Sequence, residues 1–115
     1  MLIEFDKMEP QIIPHMRGGE KEVQARMYTD PQNKIMRGRL IPGASIGTHT
    51  HETSSEIIYI LSGKGKILYD DGCEPLEAGS CHYCPKGHAH SLKNYTPDGG
   101  EDLRFFAVVP EHCAE

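Results

Sequence analysis

Several features are missing from this 115-residue chain, and each absence narrows what it can be. No segment sustains an apolar period of about 3.6 residues with caps at its ends, which argues against a helix bundle. No apolar run approaches bilayer length, so no membrane partner is expected. The opening stretch, MLIEFDKMEP, carries Glu4, Asp6, Lys7 and Glu9 where an export signal needs an unbroken apolar core, so a cytoplasmic location is expected. Basic residues form no stripe or block, and the formal charge is −5. A phosphate-backbone partner is therefore not expected, and zinc-finger spacing is absent as well.

Cysteine is present but gives no framework. Without an export signal, Cys73, Cys81, Cys84 and Cys113 are expected to be reduced thiols. Cys81 and Cys84 have CxxC spacing, yet the segment GSCHYCPKG reads as a strand entering a Pro-Gly turn. A redox pair of the thioredoxin kind opens a helix instead. Ordinary buried or half-buried thiols are the expectation for both.

What is there is a succession of short apolar or alternating segments, each closed by Gly, Pro, Asp or Asn. EVQARMYT, NKIMRGRLI, SEIIYILS, GKILYDD, SCHYCP, HSLKNY and LRFFAVV all have this form. Repeated short strands with turn signals predict an all-β antiparallel sandwich or small barrel. The length suits one domain, taken as residues 20–115. Residues 1–19, broken by Pro10, Pro14, Gly18 and Gly19, are expected to form an N-terminal arm over the barrel or over a neighbouring subunit.

The stretch HTHETSSE places His49 and His51 two apart, so an extended backbone points both imidazoles to one face. Glu56 opens the following strand, from which its carboxylate can meet the pair across a neighbouring ladder. That strand, EIIYILS, is apolar on both faces and reads as central. A carboxylate at its start is costly unless paired or metal-bound. In GSCHYCPKGHAHSLKN, Pro85 and Gly87 make a turn, and His90 sits just inside the next strand. Three imidazoles and one carboxylate suit a divalent first-row ion: manganese, iron, nickel, zinc or copper. Four protein donors leave two positions of an octahedral ion for water or substrate.

Two spaced blocks carry a family likeness. GASIGTHTHETSSEIIYILSG has Gly43, His49, His51, Glu56 and Gly63 in the register Gly-x5-His-x-His-x4-Glu-x6-Gly. GSCHYCPKGHAHSLKN has Gly79, Pro85, Gly87, His90 and Asn94 in the register Gly-x5-Pro-x-Gly-x2-His-x3-Asn. With both blocks intact and fifteen residues between them, the chain resembles a small single-domain cupin. The resemblance implies a double-stranded β-helix, or jelly-roll barrel. It implies His49, His51, Glu56 and His90 as metal ligands. It also implies structural roles for the motif glycines, Pro85 and Asn94.

Other side chains have weaker claims. His88 reads as a turn residue at the barrel mouth, and His82 as an interior or interface histidine with a hydrogen bond. His15 and His112 read as surface residues, and Glu52 as a solvent-facing loop carboxylate. Arg37 and Arg39 share a face: lining the barrel they would bind an anion, facing outward they are solvated charges, and the outward reading is preferred. Arg26 and Arg104 are open in the same way. Tyr59, Tyr69 and Tyr83 fill core or interface volume, and any of them could anchor a substrate.

The function expected is a metal-dependent enzyme acting on a small oxygenated metabolite, as a dioxygenase, decarboxylase, lyase or isomerase. Glu56, able to detach as a base, is the catalytic candidate. The alternative is a non-catalytic cupin module binding a sugar or small effector. A homodimer with a small-molecule substrate is the expected assembly.

Overall fold

Alternation along LRFFAVVP decides which way the last strand faces. Leu103, Phe105 and Ala107 are fully buried, while Arg104 and Phe106 point away from the core. The computed structural model describes residues 1–112. Cys113 lies outside the described residues.

Among the described residues ten strands are formed: β1 (Gln11–Pro14), β2 (Glu22–Thr29), β3 (Asn33–Leu40), β4 (Ser45–Thr50), β5 (Glu56–Ser62), β6 (Gly65–Tyr69), β7 (Gly72–Leu76), β8 (Cys81–Cys84), β9 (Ala89–Lys93) and β10 (Leu103–Pro110). Short 3-10 turns stand at Phe5–Lys7 and Met16–Gly18. All ladders are antiparallel and fall into two sheets, ordered β1-β2-β3-β10-β5-β8 and β4-β9-β6-β7. This is an all-β jelly-roll barrel. Both inner faces alternate into one core, which includes Leu40, Ile58, Ile60, Ile67, Leu103 and Phe105. Each such side chain contributes about 1.5–3 kcal/mol relative to exposure.

Phe105 shows how tightly this core is set. Its ring lies over Gly38 on β3, where an added Cβ would come within 2.3 Å of Phe105 Cζ. Gly38→Ala would therefore push a fully buried ring out of place.

At three places the structure adds to or changes the local reading. β5, apolar on both faces, reads from the sequence as a central strand. It does lie between β10 and β8, but of its apolar residues only Ile58 and Ile60 are buried. Ile57, Tyr59 and Leu61 face outward at 41%, 43% and 45% exposure. The segment expected as an irregular arm contributes β1, an edge strand paired with β2. Cys81 is exposed rather than half-buried, because positions 81 and 84 of an alternating strand face opposite ways. Cys73 and Cys81 are exposed free thiols and Cys84 is a buried one, so no disulfide forms among the described residues.

Candidate metal centre

His49 and His90 sit directly opposite each other on β4 and β9. The β4–β9 register shifts between Ile46 and His49, so β4 carries an extra residue just before the site. Such a bulge re-aims the side chains that follow it. His51 leaves the end of β4, and the turn after β8 clips it in place: Gly87 N donates to His51 O at 2.6 Å, and His51 N donates to His88 O at 3.0 Å. Gly87 has φ +90°, a backbone conformation that favours glycine. Pro85 and Gly87 thus do the turn-making expected of them.

Glu56 arrives from elsewhere. It opens β5, which belongs to the six-stranded sheet, while β4 and β9 belong to the four-stranded one. The carboxylate therefore meets the imidazoles across the barrel interior, not from a neighbouring ladder as the sequence suggested. The site joins the two sheets.

The separations are short. Glu56 Oε1 lies 2.8 Å from His90 Nε2, 3.0 Å from His51 Nε2 and 3.9 Å from His49 Nε2. His51 Nε2 and His90 Nε2 are 3.0 Å apart. Donors held at about 2.1 Å from one first-row ion lie about 3 Å apart at right angles and about 4.2 Å apart when opposed. The observed values fall in that range. His51, Glu56 and His90 are buried, and His49 is half-buried.

Hydrogen bonding to the far ring nitrogens supports the same use. His49 Nδ1 lies 2.8 Å from Gly47 O. A carbonyl only accepts, so Nδ1 carries the proton and Nε2 presents a lone pair. His51 Nδ1 is held by Ser54 Oγ at 2.9 Å. Lone pairs and a carboxylate oxygen packed this closely repel unless positive charge lies among them. A proton fills one such gap, whereas a divalent cation satisfies all four donors. The cluster can chelate a divalent metal ion.

Electrostatics agree. Burial pushes the Glu56 carboxyl upward, but the imidazoles of His49, His51 and His90 outweigh it and hold the group well below the ordinary glutamate range. Burial likewise lowers His90 below the usual histidine value, against the opposing pull of Glu56. The buried site thus favours a carboxylate and a neutral imidazole, the protonation states a metal requires. Burial pushes the Cys84 thiol up to about 11, with the nearby Glu56 charge adding to it. Cys84 Sγ donates to His88 O at 3.5 Å.

The remaining candidates are now placed. Arg26, Arg37, Arg39 and Arg104 lie on the outer face of the six-stranded sheet, so none lines the metal cavity. Arg37 pairs with Asp6, Arg39 lies 3.2 Å from Asp102, and Arg26 Nε donates to Met8 O at 3.0 Å. Tyr59 and Tyr83 also face outward. Tyr69 turns inward, its hydroxyl 3.3 Å from His88 Nδ1 and its ring against His82. Glu52, His15 and His112 are exposed, and His88 is half-exposed against Asp70 at 2.8 Å. Asn94 is fully buried and acts on backbone alone.

Sequence reasoning missed three residues near the site. A cavity of about 380 Å3 opens onto His51 and Glu56, with Arg17 and Lys34 in its lining. Neither cation had a sequence signal, since one sits in an irregular turn and the other at a strand end. Glu74, which contacts His82, was missed because Pro75 hides β7 from a strand pattern. Proline is tolerated there because β7 is an edge strand.

Comparison with known proteins agrees with this picture. Residues 36–109 match the family profile described as Cupin domain. An oxalate-binding protein of Thermotoga maritima is 36% identical over 116 residues, covering 95% of this chain and 93% of that protein. The crystal structure of a predicted oxalate decarboxylase from Thermotoga maritima superposes with a TM-score of 0.88 at 32% identity, covering 96% of this chain and 99% of the other. A sugar phosphate isomerase from Silicibacter pomeroyi shares the fold, with a TM-score of 0.77 at 21% identity over 96% of this chain and 76% of the other. With the family profile spanning most of the chain and both motif blocks built into the barrel as described, the protein belongs to the cupin family.

Proposed function

We propose that the chain is a metal-dependent cupin enzyme whose substrate is a small chelating acid of the oxalate type. The observation that carries this reading is the convergence of His49, His51, Glu56 and His90 on one point, with Glu56 Oε1 2.8 to 3.9 Å from the three imidazole Nε2 atoms and all four donors within 4.8 Å of one another. An ion held there would supply Lewis-acid polarisation of a bound carboxylate and, if redox-active, electron transfer to or from it.

The chain's own residues supply the rest. His49, His51, Glu56 and His90 would hold the ion, which would supply Lewis-acid binding of a compact dicarboxylate. The cavity that leads to the site is polar and charged, with Arg17 and Lys34 alongside Asp30, Glu52 and Glu111. Glu56 is the residue for proton transfer, since it alone among the donors is a carboxylate. The substrate class draws support from the Thermotoga maritima relatives, one named as oxalate-binding and the other as a predicted oxalate decarboxylase.

A second reading is a binding module without turnover. It is favoured by the name of the oxalate-binding relative, and by the lack of a further acid among the donors. One experiment separates the two. The purified protein is loaded in turn with manganese, iron, nickel, zinc and copper and given oxalate and related hydroxy-acids, with and without oxygen. Formate and carbon dioxide formed without net oxygen use indicate decarboxylation, and oxygen uptake indicates an oxidase or dioxygenase. Tight calorimetric binding without product favours the module. Neither binding nor turnover by any loaded form would refute the substrate class.

Two further parts of the proposal concern the assembly. The outward apolar side chains Ile57, Tyr59, Leu61 and Tyr83 support pairing of two copies through the six-stranded sheet. Reduced thiols at Cys73, Cys81 and Cys84 support a cytoplasmic home.

A further inference from the structure

At His90 the group that holds the far ring nitrogen is itself a histidine, and behind that histidine stands a carboxylate. We propose that Glu74 and His82 form a positioning relay that locks His90 into the tautomer whose Nε2 is free to bind a metal ion. This rests on the metal-site reading above, and it assigns functions to two residues outside the donor set.

For a neutral His82, the donor and acceptor chemistry of its two contacts orders the protons. His82 Nδ1 lies 2.8 Å from Glu74 Oε1, and His82 Nε2 lies 3.1 Å from His90 Nδ1. An ionised carboxylate only accepts hydrogen bonds, so His82 carries its proton on Nδ1. Neutral His82 then has a bare Nε2, which also accepts. The contact with His90 is a hydrogen bond only if His90 supplies the hydrogen from Nδ1. That leaves a lone pair on His90 Nε2, aimed at the point it shares with His51 and Glu56. The tautomer of a buried ligand is thus set by a carboxylate two contacts away.

The fold explains why the relay is stiff. His82, on β8 opposite Ile58 of β5, has its side chain 2% exposed, so water does not replace its contact with His90. Its ring stacks on that of His90, with centroids 5.2 Å apart and planes at 28°. β8 belongs to the six-stranded sheet, while β9 and β7 belong to the four-stranded one. The relay therefore crosses the barrel interior and returns, tying ligand orientation to the packing of both sheets. Glu74, at the edge, is half-exposed.

A competing use exists, because His82, Cys84 and His90 could themselves form a metal-ligating group. The hydrogen bonds oppose it. His82 Nδ1 is committed to Glu74, His82 Nε2 and His90 Nδ1 face each other across one proton, and Cys84 keeps its hydrogen for His88 O.

The test uses zinc as a diamagnetic probe, with affinity from chelator competition and tautomers from long-range proton–nitrogen NMR of metal-free and zinc-loaded protein. In the wild type, His82 is expected as the Nδ1–H form in both states, and His90 as the Nδ1–H form once zinc is bound. His82→Leu removes the acceptor and is expected to weaken zinc roughly ten- to a hundredfold. His82→Gln returns an acceptor and restores most of that loss. Glu74→Gln, a substitution at the edge of the sheet, leaves the core intact and weakens zinc because an amide can also donate and so permits the reverse proton order. An Nε2–H tautomer at His82, or unweakened zinc binding in both His82→Leu and Glu74→Gln, overturns the relay. A wild type that takes up no zinc overturns the metal-site reading instead, and the His82 tautomer of the metal-free protein still reports on the relay.

Discussion

Replacing Asn94 with alanine tests whether the second motif's asparagine is a brace rather than a reactive group. Its side chain is fully buried at the end of β9. Asn94 Nδ2 donates to Leu40 O at 2.9 Å and to Glu101 O at 3.0 Å, and Oδ1 accepts from Thr96 N at 3.0 Å. One amide thus ties the end of β3 to the loop that leads into β10. Each hydrogen bond contributes about 1 kcal/mol net, and stripping partners from buried groups costs more, so a loss of roughly 3 to 4 kcal/mol is expected. For a domain of this size that lowers the melting temperature by roughly 10 to 20 °C. Urea and thermal unfolding of the wild type and Asn94→Ala, both metal-free, measure the difference. The variant that remains folded should still bind metal normally, because Asn94 touches none of the donors. A loss under about 1 kcal/mol would refute the bracing argument, and so would intact stability with abolished metal binding.

Three further outcomes follow from the same structure. Metal-free protein should lose stability on acidification: burial depresses His90, so below about 6.5 the unfolded chain takes up a proton that the folded chain resists. The depressed Glu56 adds to this only at lower pH, with its contribution present above the ordinary glutamate range and lost as pH falls through the folded value. Denaturant midpoints that stay flat or rise from pH 7 to 5 would contradict this. Alkylation at neutral pH should label Cys73 and Cys81 well before Cys84, whose buried thiol is pushed up to about 11. Peptide mass spectrometry reads the order, and early labelling of Cys84 would show that the site is open. Tyr83→Glu, together with Ile57→Glu, should shift a dimer to monomer in light scattering, and an unchanged mass would remove the sheet face as the interface.

Much of this architecture can be read in the sequence because period-2 alternation survives wherever a strand packs one face inward. EVQARMYT coincides with β2, and LRFFAVV with nearly all of β10. The approach of His49, His51, Glu56 and His90 was legible for a local reason: two residues on an extended segment share a face, and two spaced blocks repeat a known register. What could not be read is long-range. Nothing in SEIIYILS says that Ile57, Tyr59 and Leu61 face outward, since hydropathy is the same on either face of that strand. The split of β4 and β5 into different sheets depends on how the whole chain winds, so the sequence suggests a neighbouring ladder for Glu56 where the structure has the opposite sheet. The contact of Glu74 with His82 joins an edge strand with a proline in it to a strand in the opposite sheet. No local pattern encodes such a pairing.

The central claim is that four side chains hold one cation inside the barrel. Metal content after equilibration with a limiting excess of zinc or manganese and extensive dialysis tests it most directly, run on the wild type, His51→Ala and Glu56→Gln with circular dichroism to confirm folding. The expected result is one ion per wild-type chain and little retained by either folded variant. Equal metal in all three, or none in the wild type, would contradict it.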